Sequence, residues 1–133
     1  ASYSSPVSGA WALKAQSGTT GYIEFALYGP SWTDYVTTTN IASDKAWHHC
    51  AVTRETNTLR IFVDGVVAGT FSVTGKSFGG GGHPLTVGFM AQDVTSYING
   101  NISNARVVKG TAVYTSAFTP PTEPLTAIAG TGG

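Results

Sequence analysis

Asp64-Gly65 constrains this chain more than any other pair of residues. It lies between Leu59-Arg60-Ile61-Phe62-Val63 and Val66-Val67-Ala68. An Asp-Gly pair between apolar runs is the strongest short-range hairpin signal, because a type I′ turn needs positive φ at both central positions. Trp47 to Arg54 reads as the preceding strand, joined through a turn at Glu55-Thr56-Asn57-Thr58, so three strands follow in a meander. Upstream, Tyr22 to Tyr28 reads as a strand closed by Gly29-Pro30, and Asp34 to Thr39 as another, rich in β-branched residues. Downstream, Leu85 to Phe89 and Ile102 to Val108 supply two more. No window of helical length carries an apolar stripe. The expected architecture is an all-β, two-sheet antiparallel β-sandwich with little or no helix.

Composition narrows the function. Lys plus Arg is 7 and Asp plus Glu is 7, so the formal net charge is zero. Charged residues make up 11% of the chain, against roughly 25% in an average globular protein. Scattered cations matched by acids give little attraction for phosphate, which argues against nucleic acid. No run approaches the ~20 apolar residues of a spanning helix, so no membrane insertion is expected. A neutral surface offers little colloidal repulsion and suits a protein held in an assembly. The 133 residues fit one domain, with Ala1 to Ala10 as an approach segment and 125–133 as a Gly-rich tail or linker. The one cysteine, Cys50, reads as a small buried hydrophobe in a strand.

Several catalytic patterns fail on context. Gly75-Lys76-Ser77-Phe78-Gly79 has the spacing of a hydrolase nucleophile elbow, but Gly80-Gly81-Gly82-His83-Pro84 follows, which cannot start the helix that elbow needs. Gly75-Lys76-Ser77 also ends like a phosphate-binding loop, yet Thr70 stands where its first glycine belongs. The acids Glu24, Asp34, Asp44, Glu55, Asp64, Asp93 and Glu123 are spread so that no two are close in sequence, and Asp64 is already explained by its turn. A glycosidase needs two carboxylates flanking one bond, so any such pair would have to be brought together by folding. His48 and His49 are strand neighbours whose rings point to opposite faces, which prevents joint chelation of one ion. No metal, cofactor or catalytic residue is expected. What remains is aromatic: Trp11, Trp32, Tyr35 and Tyr97 fall in or beside expected loops, whereas Phe25, Trp47 and Phe62 fall within strand patterns. Exposed rings stack on sugars or anchor partners, and the plainer role of any one of them is to plug the sandwich ends.

The order of blocks adds a resemblance. Trp47-His48-His49-Cys50-Ala51-Val52-Thr53-Arg54, Leu59 to Gly65, Leu85-Thr86-Val87-Gly88, Tyr97 to Ile102, and Arg106-Val107-Val108-Lys109-Gly110-Thr111-Ala112-Val113-Tyr114 ending at Phe118-Thr119-Pro120-Pro121 together resemble the laminin G-like, concanavalin A-like jelly-roll family. The likeness is greatest to its third laminin G subgroup, common in bacterial secreted proteins and in phage tail and virion proteins. It implies a laminin G-like sandwich over residues 1–124 that lacks the one or two strands with which the family usually opens. It implies a non-enzymatic structural or adhesion module on a phage tail fibre, appendage or capsid surface, located on the virion or outside the cell. The alternative is a glycan-binding module of a bacterial secreted or cell-surface protein. Expected partners are other virion proteins or a neighbouring copy that supplies a strand in an oligomeric assembly, and a host cell-surface glycan. The loops at Trp32 to Tyr35, Ser77 to His83 and Gln92 to Tyr97 would meet that glycan, with Trp32, Asp34, Tyr35, His83, Gln92, Asp93 and Tyr97 as candidate ligand-binding residues.

Overall fold

The computed structural model describes residues 9–15, 21–41, 45–78, 86–87, 89–90, 93–97 and 100–123, with backbone alone for 89–90 and 93–97. Among these residues there is no helix. Strands β1 (Trp11–Ala15), β2 (Tyr22–Tyr28) and β3 (Trp32–Asn40) form one antiparallel sheet in that order. Strands β4 (Cys50–Glu55), β5 (Thr58–Val63) and β6 (Val66–Ser72) form a second, and β7 (Phe89–Met90) pairs with β8 (Asp93–Tyr97). The architecture is the all-β sandwich the sequence implies.

The meander follows its turn chemistry. Asp64 and Gly65 both have positive φ, at 51° and 82°, as a type I′ turn requires, and they join Val63 directly to Val66 in register. Thr56-Asn57 closes the other hairpin with Glu55 opposite Thr58. Alternation then sends Leu59, Ile61 and Val63 to the inner face, where they meet Ile23, Phe25, Leu27 and Tyr35 of the first sheet. Leu59 and Ile61 are fully buried; truncating either to Ala would cost about 2–5 kcal/mol. At the seam between β3 and β6, Tyr35 packs on Phe71 with ring centroids 5.3 Å apart. The β2–β3 ladder slips between Tyr22 and Glu24, and buried Thr37 donates its hydroxyl to the Ile23 carbonyl at 3.1 Å, satisfying the group that the slip leaves without a strand partner.

The second sheet is also covered on its outer face around Phe62. Phe62 is fully buried there, under a strap that runs through Tyr114 and Phe118. The two strap rings stack with centroids 3.6 Å apart. Both meet Phe62 edge-on, at 6.1 and 5.3 Å. Two hydrogen bonds pin the strap: the Phe118 N–H donates to the Gly65 carbonyl at 2.9 Å, and the Thr53 hydroxyl donates to the Tyr114 carbonyl at 2.8 Å. The Gly-Thr-Ala-Val-Tyr…Phe-Thr-Pro-Pro run is therefore a lid over the Asp-Gly hairpin.

Three sequence expectations are corrected. Ile102 to Val108 forms no strand: Asn104 adopts a left-handed φ of 57°, which breaks the extended run, and Val107 is 60% exposed. Trp47 precedes β4 and is 70% exposed, because the ladder begins only at Cys50 opposite Val63. Trp11 opens β1 directly beside the turn at 9–10, as expected. Of Leu85 to Phe89, residues 86–87 belong to no strand, 85 and 88 lie outside the described residues, and the strand is Phe89–Met90. Strand β1 overhangs the core: Trp11 and Leu13 face inward by register with Leu27 and Phe25, yet remain 37% and 40% exposed.

The strap makes Gly65 doubly constrained. A Cβ there would collide with the Phe118 carbonyl oxygen, whereas at Gly75, also of positive φ, it would meet nothing. Gly65→Ala should cost about 2–4 kcal/mol in urea unfolding, from backbone strain plus displacement of the strap. Gly75→Ala should cost about 1–2 kcal/mol from strain alone. Equal losses for the two variants would mean that the strap does not rest on the turn.

Candidate functional site

The β2–β3 hairpin turns through Gly29-Pro30-Ser31 and sets Tyr28 directly opposite Trp32. Their rings meet edge-to-face at 5.2 Å. From that pair, alternation separates the expected ligand residues onto two faces. Trp32 and Asp34 point outward, while Tyr35 points into the core at 8% exposure and packs on Phe71. Tyr35 is thus a core residue, a correction to the expectation that Trp32 to Tyr35 is a binding loop: the segment is strand β3.

The outer face carries a charge cluster that linear spacing conceals. Lys14 stands opposite Glu24 in register, and their ion pair measures 3.0 Å. Glu24 is only 4% exposed. Asp34, opposite Ala26, lies diagonal to Glu24 on the same face. Partial burial, then the neighbouring Glu24 carboxyl and its negative charge, raise the Asp34 carboxyl above its usual range, and the Lys14 ammonium partly offsets them. A buried carboxylate stripped of its ammonium is costly, so Lys14 and Glu24 stand or fall together. The face therefore offers an aromatic pair, Tyr28 and Trp32, next to a carboxyl, Asp34, with the small side chain of Ala26 beside it.

The remaining expected residues spread elsewhere. His83 and Gln92 lie outside the described residues. Asp93 and Tyr97 are the two ends of strand β8, so the expected loop Gln92 to Tyr97 is mostly strand. The Ser77 to His83 loop is described only through Phe78. Residues that sequence reasoning passed over are Tyr28 and Glu24. Their signal was the hairpin register: closing the chain at Pro30 brings 28 to 32 and 26 to 34, and leaves 24 diagonal to 34.

The two histidines answer to different partners. His48 Nδ1 donates to Asp64 Oδ2 at 2.7 Å, and the His49 backbone N–H donates to Asp64 Oδ1 at 2.9 Å, so the turn aspartate also clips the entry to β4. The His49 ring lies edge-on to both Tyr114 and Phe118, with Nδ1 buried and unpartnered. Cys50 is partly buried against the core, and burial, with the Asp64 charge adding, pushes its thiol up to about 11.

Burial lowers the His49 pKa below the usual 6.5; the Asp64 charge opposes this and the Arg106 charge adds to it. The unfolded chain then takes up the proton first, so stability is full above 6.5 and falls as pH drops through 6.5 toward the lower folded value. Melting temperature should fall between about pH 7.5 and about pH 5, and fall less in His49→Phe. Asp34 acts with the opposite sign but equally in both proteins, so the comparison isolates His49. Equal slopes in the two proteins would contradict this reading.

Comparison with known proteins agrees with the geometry. No curated protein and no solved structure matches the chain. A laminin G type family model, described as the concanavalin A-like lectin/glucanases superfamily, matches residues 2–120. With its two three-stranded antiparallel sheets facing across one core, the chain belongs to that laminin G-type family of concanavalin A-like domains.

Proposed function

We propose that this chain is a non-enzymatic carbohydrate-binding or adhesion module that engages sugar on the outer face of the β1–β2–β3 sheet. One observation carries the reading: Trp32 keeps 37% of its surface open while braced edge-on by Tyr28, two residues along the same strand face from the Asp34 carboxyl. A braced, half-open indole is a stacking surface for a pyranose ring, and an adjacent carboxyl accepts hydrogen bonds from sugar hydroxyls. Family membership supports the same class of function.

The geometry of the acids supports binding without hydrolysis. Glycosidases hold their two carboxyls about 5 Å or more apart, so that the scissile bond or a water fits between. Glu24 is instead 4% exposed and ion-paired to Lys14, so it is not presented with Asp34 to a bond lying between them. In the proposed setting the module is displayed on a phage particle, at a tail fibre, appendage or capsid surface. That setting rests on the resemblance of the closing run Arg106 to Pro121 and on the near-neutral surface. A bacterial secreted adhesin is the second reading. The β1 overhang at Trp11 and Leu13 fits a strand lent by a neighbouring copy, which light scattering would show as an oligomer.

On an array of surface glycans the purified domain should bind a subset of sugars saturably, and Trp32→Ala should weaken that binding about tenfold or more with the melting temperature nearly unchanged. Binding that survives Trp32→Ala, or turnover of β-glucan, would overturn the proposal.

A further inference from the structure

A cleft at the end of the sandwich, of about 190 Å³, is lined by Leu27, Tyr28, Gly29, Pro30, Thr33, Gly75, Lys76 and Ser77. That is room for one monosaccharide ring. Its two walls come from the β2–β3 turn and from the loop that leaves β6. The second wall is fixed firmly. Val73 is fully buried and its N–H donates to the Asn57 carbonyl at 2.8 Å. The Lys76 N–H then donates back to the Val73 carbonyl at 3.0 Å, closing a four-residue turn with Gly75 at a φ of 74°, the position where such a turn favours glycine. Beyond it, Phe78 stacks on Phe25 at 5.5 Å, with the Arg54 guanidinium 4.6 Å from its ring centroid. The turn that carries Lys76 is therefore anchored on both sides.

Among the described lining residues Lys76 is the one charged side chain, and no acid is present. Ser77 and Thr33 contribute hydroxyls, and Leu27 and Pro30 an apolar floor. Tyr28 belongs to this cleft and also braces Trp32, so the cleft adjoins the proposed stacking face. The Asp34 and Glu24 carboxyls lie on the opposite side of the strands from Thr33 and Leu27, by alternation. An anionic group entering here would meet an ammonium and hydroxyls, without carboxylates among the described residues of the wall.

We propose that the Lys76 cleft is a subsite for an acidic monosaccharide, one whose ring carries a carboxylate or a sulfate ester, at the edge of the sugar-binding face. The inference rests on the carbohydrate-binding reading above and deepens it. Lys76 would pair with the acid, the Ser77 and Thr33 hydroxyls would bond the ring hydroxyls, and the neighbouring residue of the glycan would lie on Trp32.

Titration of the intact chain with methyl glucuronide, glucose 6-sulfate and neutral methyl glucoside, followed by NMR, tests it. The charged sugars should bind about tenfold tighter than the neutral one at low salt, through a charge-assisted hydrogen bond, with the preference shrinking as salt rises. In Lys76→Gln the three should bind within about twofold of one another, and Lys76→Arg should retain the preference. A preference for charged sugars that survives Lys76→Gln, or none in the wild type, overturns this inference while leaving the Trp32 reading intact. Failure of all three sugars and of the glycan array overturns both.

Discussion

The β4–β5–β6 sheet is apolar across its inner face and again at Phe62 on its outer face, and neither can be left to water. Leu59, Ile61 and Val63 point to one side of β5 and Phe62 to the other, all of them buried. Burying such a side chain is worth about 1.5–3 kcal/mol, so this one strand supplies a large share of what holds a domain of this size together. The inner side is covered by the first sheet. Among the described residues the outer side at Phe62 is covered by the Tyr114–Phe118 strap, whose stacked rings meet Phe62 edge-on. The Asp64-Gly65 turn links these layers. Its φ values set the β5–β6 register, its carboxylate holds His48 and the His49 amide, and its glycine lets the Phe118 backbone approach.

With that core fixed, the first sheet is free to carry function on its outer face. Its inner residues Ile23, Phe25, Leu27 and Tyr35 are committed to packing, so recognition falls to the alternate set beginning at Tyr28, Trp32 and Asp34. The Lys14–Glu24 pair, its carboxylate buried and its ammonium partly exposed, ties β1 to β2 on that same face and keeps Asp34 beside a negative charge. Such a face combines rigid aromatic area with one adjustable polar group, and the adjoining cleft adds the complementary cation. Both belong to strands and anchored turns, which suits repeated, reversible contact with a repeating glycan better than mobile loops would.

Much of the fold was legible because strong local chemistry agreed with the tertiary context. Tyr22 to Tyr28 is bounded as the Gly29-Pro30 stop implies, and the meander around Asp64-Gly65 follows turn residues that few other arrangements tolerate. Where local pattern and context parted, the pattern misled. Ile102 to Val108 carries β-branched Ile102, Val107 and Val108, but its extended run is broken at Asn104, and strand propensity without a ladder is only a preference. Trp47 looks like core material and is instead exposed, because the ladder starts three residues later. The binding face was half legible. Trp32 and Asp34 were named, but Tyr35 was grouped with them because reading the segment as a loop ignored the two-residue alternation that buries it. Glu24 was hidden because its meeting with Asp34 depends on register across a hairpin and leaves no trace in linear spacing.

Native-state hydrogen exchange probes the dependence of this fold on its strap most directly. The Phe118 amide, bonded to the Gly65 carbonyl, should be protected and should open with the same free energy as the β5 amides, as one cooperative unit. Removing the strap rings through Tyr114→Ala and Phe118→Ala should lower protection across β5 together. A Phe118 amide that exchanges at the open-chain rate while β5 stays fully protected would contradict the account, because the outer face of Phe62 would then need no cover.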